Sequence, residues 1–108
     1  VVHYMTVSPD LKIVDLKNFP NPMKNETSFL INLSGNVPPS NAKIKIFTVA
    51  GRLIKTIESP LNIGFNQISW DGRDEDGDYL ANGVYFYKLI IEGNNKKETS
   101  LQKLVVLK

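Results

Sequence analysis

"WDGRDEDGDYLANGVYFYKL", residues 70–89, divides into two halves that need different backbones. Its first half puts five carboxylates, Asp71, Asp74, Glu75, Asp76 and Asp78, into eight residues, with glycines at 72 and 77. Its second half opens the run GVYFYKLIIEG (83–93). There Tyr85, Tyr87, Leu89 and Ile91 share one face, and Val84, Phe86, Lys88 and Ile90 the other, which is the period of a β-strand. The first half fits an ordered turn. Asp71 and Asp74 can cap backbone N–H groups in consecutive turns, and Gly72, Gly77 and Gly83 can take backbone angles that side chains oppose. Trp70 ends the preceding strand and is assigned to the core.

The same alternation spreads outward. TSFLINLS (27–34) places Phe29, Ile31 and Leu33 on one face. AKIKIFTV (42–49) alternates lysine with isoleucine, turns at AGR (50–52) and returns as RLIKTI (52–57). FNQISW (65–70) leads into the acidic turn, and KIVDL (12–16) precedes an irregular NFPNPMKN connection at 18–25. NNKK (94–97) reads as a turn, and SLQKLVVLK (100–108) as the last strand. No segment carries helical periodicity. Seven short strands at this spacing predict an all-β, immunoglobulin-like sandwich of two antiparallel sheets. Residues 1–17 are expected to be a linker or the end of an upstream domain plus the first strand, and 18–108 the immunoglobulin-like domain. The opening VVHYMTVSPD and the closing KLVVLK suggest a piece of a longer protein, its C-terminal part.

Composition narrows the function. The chain has 108 residues, a net charge of +2 and no cysteine. Thiolate metal sites, disulfides and cysteine nucleophiles are therefore excluded. The 13 basic residues are scattered, with Lys96-Lys97 the one adjacent pair, so no basic stripe for nucleic acid is formed. No apolar run reaches membrane-spanning length. His3 is the one histidine and falls in the expected linker, so no Ser-His-Asp set assembles around it. A carboxylate pair needs a cleft that separates its pKa values, and this turn should be solvated. Calcium is the remaining chemistry for Asp71, Asp74, Asp76 and Asp78. The EF-hand pattern fails because Tyr79 stands where the glycine belongs, which leaves a non-EF calcium loop as the metal alternative. NET at Asn25 matches the N-glycosylation pattern, which is common by chance.

Four blocks in order, NFPNPMKNETSFLINL, KIKIFTVAGRLIKTI, FNQISWDGRDEDGDYLANGVYFYKL and QKLVVLK, resemble one family over residues 18–108. It is the immunoglobulin-like domain first described in the flagellar hook-capping protein. In a larger branch it is the C-terminal domain of proteins exported by the type IX (Por) secretion system of Bacteroidetes-type bacteria. The resemblance points to Pro20, Asn21 and Pro22 at the start of the domain, Gly51 with Arg52 at the hairpin turn, Gly83 to Tyr85, and Leu104, Val105, Val106, Leu107 and Lys108 at the end. Met23 departs from the aromatic residue frequent there, a conservative apolar change.

This resemblance implies a non-enzymatic sorting signal without a cofactor, read by the translocon and then cut off by a surface sortase. The parent protein would be exported to the outer-membrane surface or beyond. IFTVAGRLIK and WDGRDEDGDYLANGVYFYKL also look like the tail of gingipain-like cysteine peptidases, including the sortase of this same system, where the domain would stay attached as a structural or docking module. A calcium- or ligand-binding adhesion module is the third reading. If the last strand lies at a sheet edge, a partner could add a strand beside it; otherwise it simply completes the core.

Overall fold

The structure is a computed structural model that describes residues 10–93 and 95–108. Seven strands form in order: β1 (Lys12–Phe19), β2 (Thr27–Ser34), β3 (Asn41–Thr48), β4 (Leu53–Glu58), β5 (Gly64–Trp70), β6 (Gly83–Gly93) and β7 (Lys96–Val106). They make a three-stranded sheet in the order β1-β2-β5 and a four-stranded sheet in the order β4-β3-β6-β7. Every strand pair is antiparallel. The all-β sandwich expected from the alternation is the observed architecture.

The faces follow the sequence period. Phe29, Ile31 and Leu33 from β2 meet Ile44 and Ile46 from β3 and Tyr87, Leu89 and Ile91 from β6 in one buried cluster. Phe29 stacks on Trp70 with ring centroids 5.9 Å apart and tilts against Tyr87 at 5.0 Å, so three aromatic rings join the two sheets. Leu104 and Val106 of β7 are fully buried in the same core. The last strand therefore completes the core, and it is also an edge strand.

Two boundaries differ from the sequence expectation. β1 continues through Asn18 and Phe19, which pair with Phe29 and Ser28, so residues 12–17 belong to the sandwich sheet. β7 begins at Lys96 rather than near 100. Gly93 pairs with Lys96 and Asn95 takes φ 61°, so the connection is a tight hairpin and not a four-residue loop. The expected linker over 1–9 lies outside the described residues.

Register fixes which loops meet. Thr27 pairs with Trp70, Thr48 with Tyr85, and Tyr85 with Leu104. The β1–β2 connection, the β3–β4 turn, the β5–β6 connection and the final residues therefore lie at one end of the sandwich. The start of β1 and the other three connections lie at the opposite end, where the Lys96 ammonium pairs with Asp10 at 2.9 Å.

Candidate functional site

Asn21 is the centre of the first segment at that end. Its Nδ2 donates to the Lys103 carbonyl at 3.1 Å, and its Oδ1 accepts from the Val105 amide at 3.1 Å. Met23 continues the attachment: its amide donates to the Val105 carbonyl and its carbonyl accepts from the Leu107 amide, both at 2.8 Å. Residues 21–23 thus lie along the free edge of β7, in a short parallel bridge centred on Met23 and Val106. The Met23 side chain is buried beneath it. The peptide bonds before Pro20 and Pro22 are both cis. Asn18 and Thr27, both buried, brace the segment: Asn18 Nδ2 donates to Thr27 Oγ1, and Thr27 Oγ1 donates to the Pro20 carbonyl. That engagement also takes up the hydroxyl of the NET triplet at Asn25.

The acidic stretch forms the second segment. Asp71 Oδ1 accepts from the Arg73 amide at 3.1 Å, and Asp74 Oδ1 accepts from the amides of Asp76 and Asp78 at 2.9 and 3.0 Å. Gly72 and Gly77 take φ of 78° and 85°. Gly72 also lies so close to the Asn25 backbone that any Cβ would overlap its carbonyl oxygen. The indole N–H of Trp70 donates to the Arg73 carbonyl at 3.1 Å. Among the described residues no group of three or more His, Asp or Glu side chains is arranged to hold a metal.

Glu75 carries this turn onto the other edge of the four-stranded sheet. Its amide donates to the Ile54 carbonyl at 3.0 Å, and its carboxylate accepts from the Thr56 amide at 2.9 Å. Both edges of that sheet are therefore occupied at this end by the chain's own connections, a common protection against edge-to-edge pairing.

The C-terminal residues meet the same structure. The Lys108 amide donates to Asn82 Oδ1 at 3.0 Å, and its ammonium lies 5.2 Å from the Tyr79 ring centre. Arg73 stands 4.6 Å from that ring and donates to a Tyr79 hydroxyl, a bond that raises the guanidinium pKa further. The Tyr85 hydroxyl donates to the Ala81 carbonyl at 2.8 Å, the corner bond familiar from immunoglobulin-like domains.

Pro20, Asn21, Pro22, Gly83, Tyr85 and Leu104 to Lys108 are thus gathered at one end, and Gly51 stands at the same end in the β3–β4 turn. Pro20, Asn21, Pro22, Gly51, Gly83, Leu107 and Lys108 are exposed, whereas Leu104 and Val106 are core. Sequence reading missed the bracing by Asn18, Thr27, Glu75 and Asn82. Of these only Asn82, an amide residue directly before Gly83, carried a local signal.

An immunoglobulin-like sandwich with both edges of one sheet tucked under its own loops is the class that this geometry defines. The FlgD Ig-like domain family matches residues 21–96, and the chain belongs to that family. No curated protein matches the sequence. Among solved structures, dimeric latent PorU from Porphyromonas gingivalis is similar at 23% identity and a TM-score of 0.78, over 94% of this chain and 10% of that one. PorZ of the same organism, described as a surface component of the type IX secretion system, shares 23% identity at a TM-score of 0.57, over 86% of this chain and 11% of its own. FlgD from P. aeruginosa shares 22% identity at a TM-score of 0.58, over 92% of this chain and 70% of its own. The chain spans about a tenth of PorU and PorZ.

Proposed function

We propose that this chain is a non-catalytic recognition domain that directs its parent protein through type IX secretion to the cell surface. The observation that carries the reading is the convergence of Pro20–Pro22, Gly83–Tyr85 and Leu104–Lys108 on one end of the sandwich. A translocon or sortase component that reads these blocks meets a single surface, and reads it only when the domain is folded. The fold shared with PorZ supports the same reading. A second reading is a retained structural module of a surface cysteine peptidase or sortase, packed on its upstream domain; the likeness to PorU, of which this chain spans 10%, favours a module carried within a larger protein.

The test is a fusion of a signal peptide, a fluorescent protein and residues 1–108, expressed in a type IX-competent bacterium. Passenger outside the cell with the 108 residues removed is the expected outcome. Passenger outside with the domain still attached, seen by mass spectrometry, would mean sorting without cleavage. Passenger held in the periplasm would refute the sorting role.

A further inference from the structure

The outer face of the four-stranded sheet, away from the core, contains an apolar patch that adjoins the end-on blocks, shares Val84 and Val105 with them and extends beyond them across β3 and β4. Leu53 on β4, Phe47 on β3 and Phe86 on β6 are consecutive cross-strand partners in the register. Val84 and Val105 pair beside them. Leu53 and Val84 are exposed and the other three are half-buried, so apolar surface runs across all four strands.

Three lysines border this patch. Lys45 and Lys88 face each other directly across β3 and β6, and Lys103 is the β7 partner of Phe86. Like charges in directly opposed positions are unfavourable within a sheet. Elsewhere on the face the signs balance, since Lys43 pairs in register with Glu58 and Lys97 with Glu92. Lys45, Lys88 and Lys103 take part in none of the ion pairs among the described residues. The residues outside the described set contain no Asp or Glu side chain to supply one.

We propose that this face is a docking surface for a protein of the export machinery that presents carboxylates around an apolar centre, an assignment that rests on the sorting role. The unbalanced lysines supply charge complementarity, and the Phe47–Phe86 pair supplies the desolvated centre that protein interfaces use. A purely anionic polymer would leave the aromatic and aliphatic side chains without a partner.

The experiment uses the same fusion with single substitutions. Lys88→Glu places a carboxylate opposite Lys45, so the melting temperature of residues 1–108 stays level or rises while export falls at least tenfold. Phe86→Ser gives the same loss of export, and Lys88→Arg retains it. Lys17→Glu, on the outer face of the other sheet, is exported like the unsubstituted fusion. Undiminished export of both Lys88→Glu and Phe86→Ser would overturn the docking face and leave the sorting role standing. Loss with Lys88→Glu alone would mean an anionic polymer and also overturn it. Failure of the unsubstituted fusion to leave the cell would defeat the sorting role, and the docking face with it.

Discussion

Gly72 and Gly51 show how differently two glycines of positive φ constrain this chain. Gly51 has nothing within 4 Å of where a Cβ would be, so Gly51→Ala meets only the left-handed backbone penalty, about 1–2 kcal/mol. Gly72→Ala meets that penalty and the Asn25 carbonyl as well, and is expected to cost roughly 2–6 kcal/mol. Parallel denaturant melts of the two variants check the ordering. Trp70 is 4% exposed and bridges Phe29 to the acidic turn, so Trp70→Ala should cost about 3–5 kcal/mol in the same assay. Tyr87 adds a pH dependence. Burial, with a smaller contribution from Asp15, raises its hydroxyl pKa above the ordinary 10.0. Its neutral form is favoured in the fold, so its contribution is fully present below pH 10 and is lost as pH rises through the raised value. Stability should fall there by up to about 1.4 kcal/mol per pH unit, and Tyr87→Phe should flatten that limb of a pH-dependent melt. Single residues were legible where local chemistry decides them: the Asp71 and Asp74 caps, the Trp70 core position and the glycine turn all follow from neighbours a few positions away. Asn18 and Thr27 were not, because their bonds depend on how the Pro20–Met23 segment returns toward β2.

At the scale of elements, the alternation in β2, β3, β5 and β6 specified strand and inward face together, because one face had to be apolar. It failed at the ends of the edge strands. Lys96, Lys97 and Glu98 look like a loop, yet an edge strand tolerates charge along its length, and β7 begins there. The NFPNPMKN connection hid a second case: two of its residues finish β1, and Asn21 to Met23 lie along β7. The pairing of that segment with a strand some 80 residues later leaves no periodic trace. Asn21→Ala removes both of its hydrogen bonds to β7 and should cost about 1–2 kcal/mol at this exposed position. Hydrogen exchange would locate the effect: the Val105 amide should exchange faster, while the Leu104 amide, directed at β6, keeps its protection.

For the whole molecule, the sequence yielded the sandwich and the family, and the structure added that Pro20–Pro22, Gly83–Tyr85 and Leu104–Lys108 share one end. The five carboxylates illustrate the gain in resolution. Asp71, Asp74 and Glu75 accept backbone hydrogen bonds, and no three acidic side chains among the described residues are gathered to hold a cation, so millimolar Ca²⁺ is expected to leave the melting temperature of residues 1–108 unchanged; a rise would support the adhesion reading. The placement of the first described residues and the last at opposite ends has a mechanical meaning. A pull applied at Asp10 and Lys108 runs along the strands, so it must slide β1 past β2 and β7 past β6. All the hydrogen bonds of each pair then share the load, instead of opening one after another as a peeled hairpin does. A domain held at its C-terminal end and pulled at the other would resist forced unfolding, a quantity governed by the unfolding rate rather than by equilibrium stability.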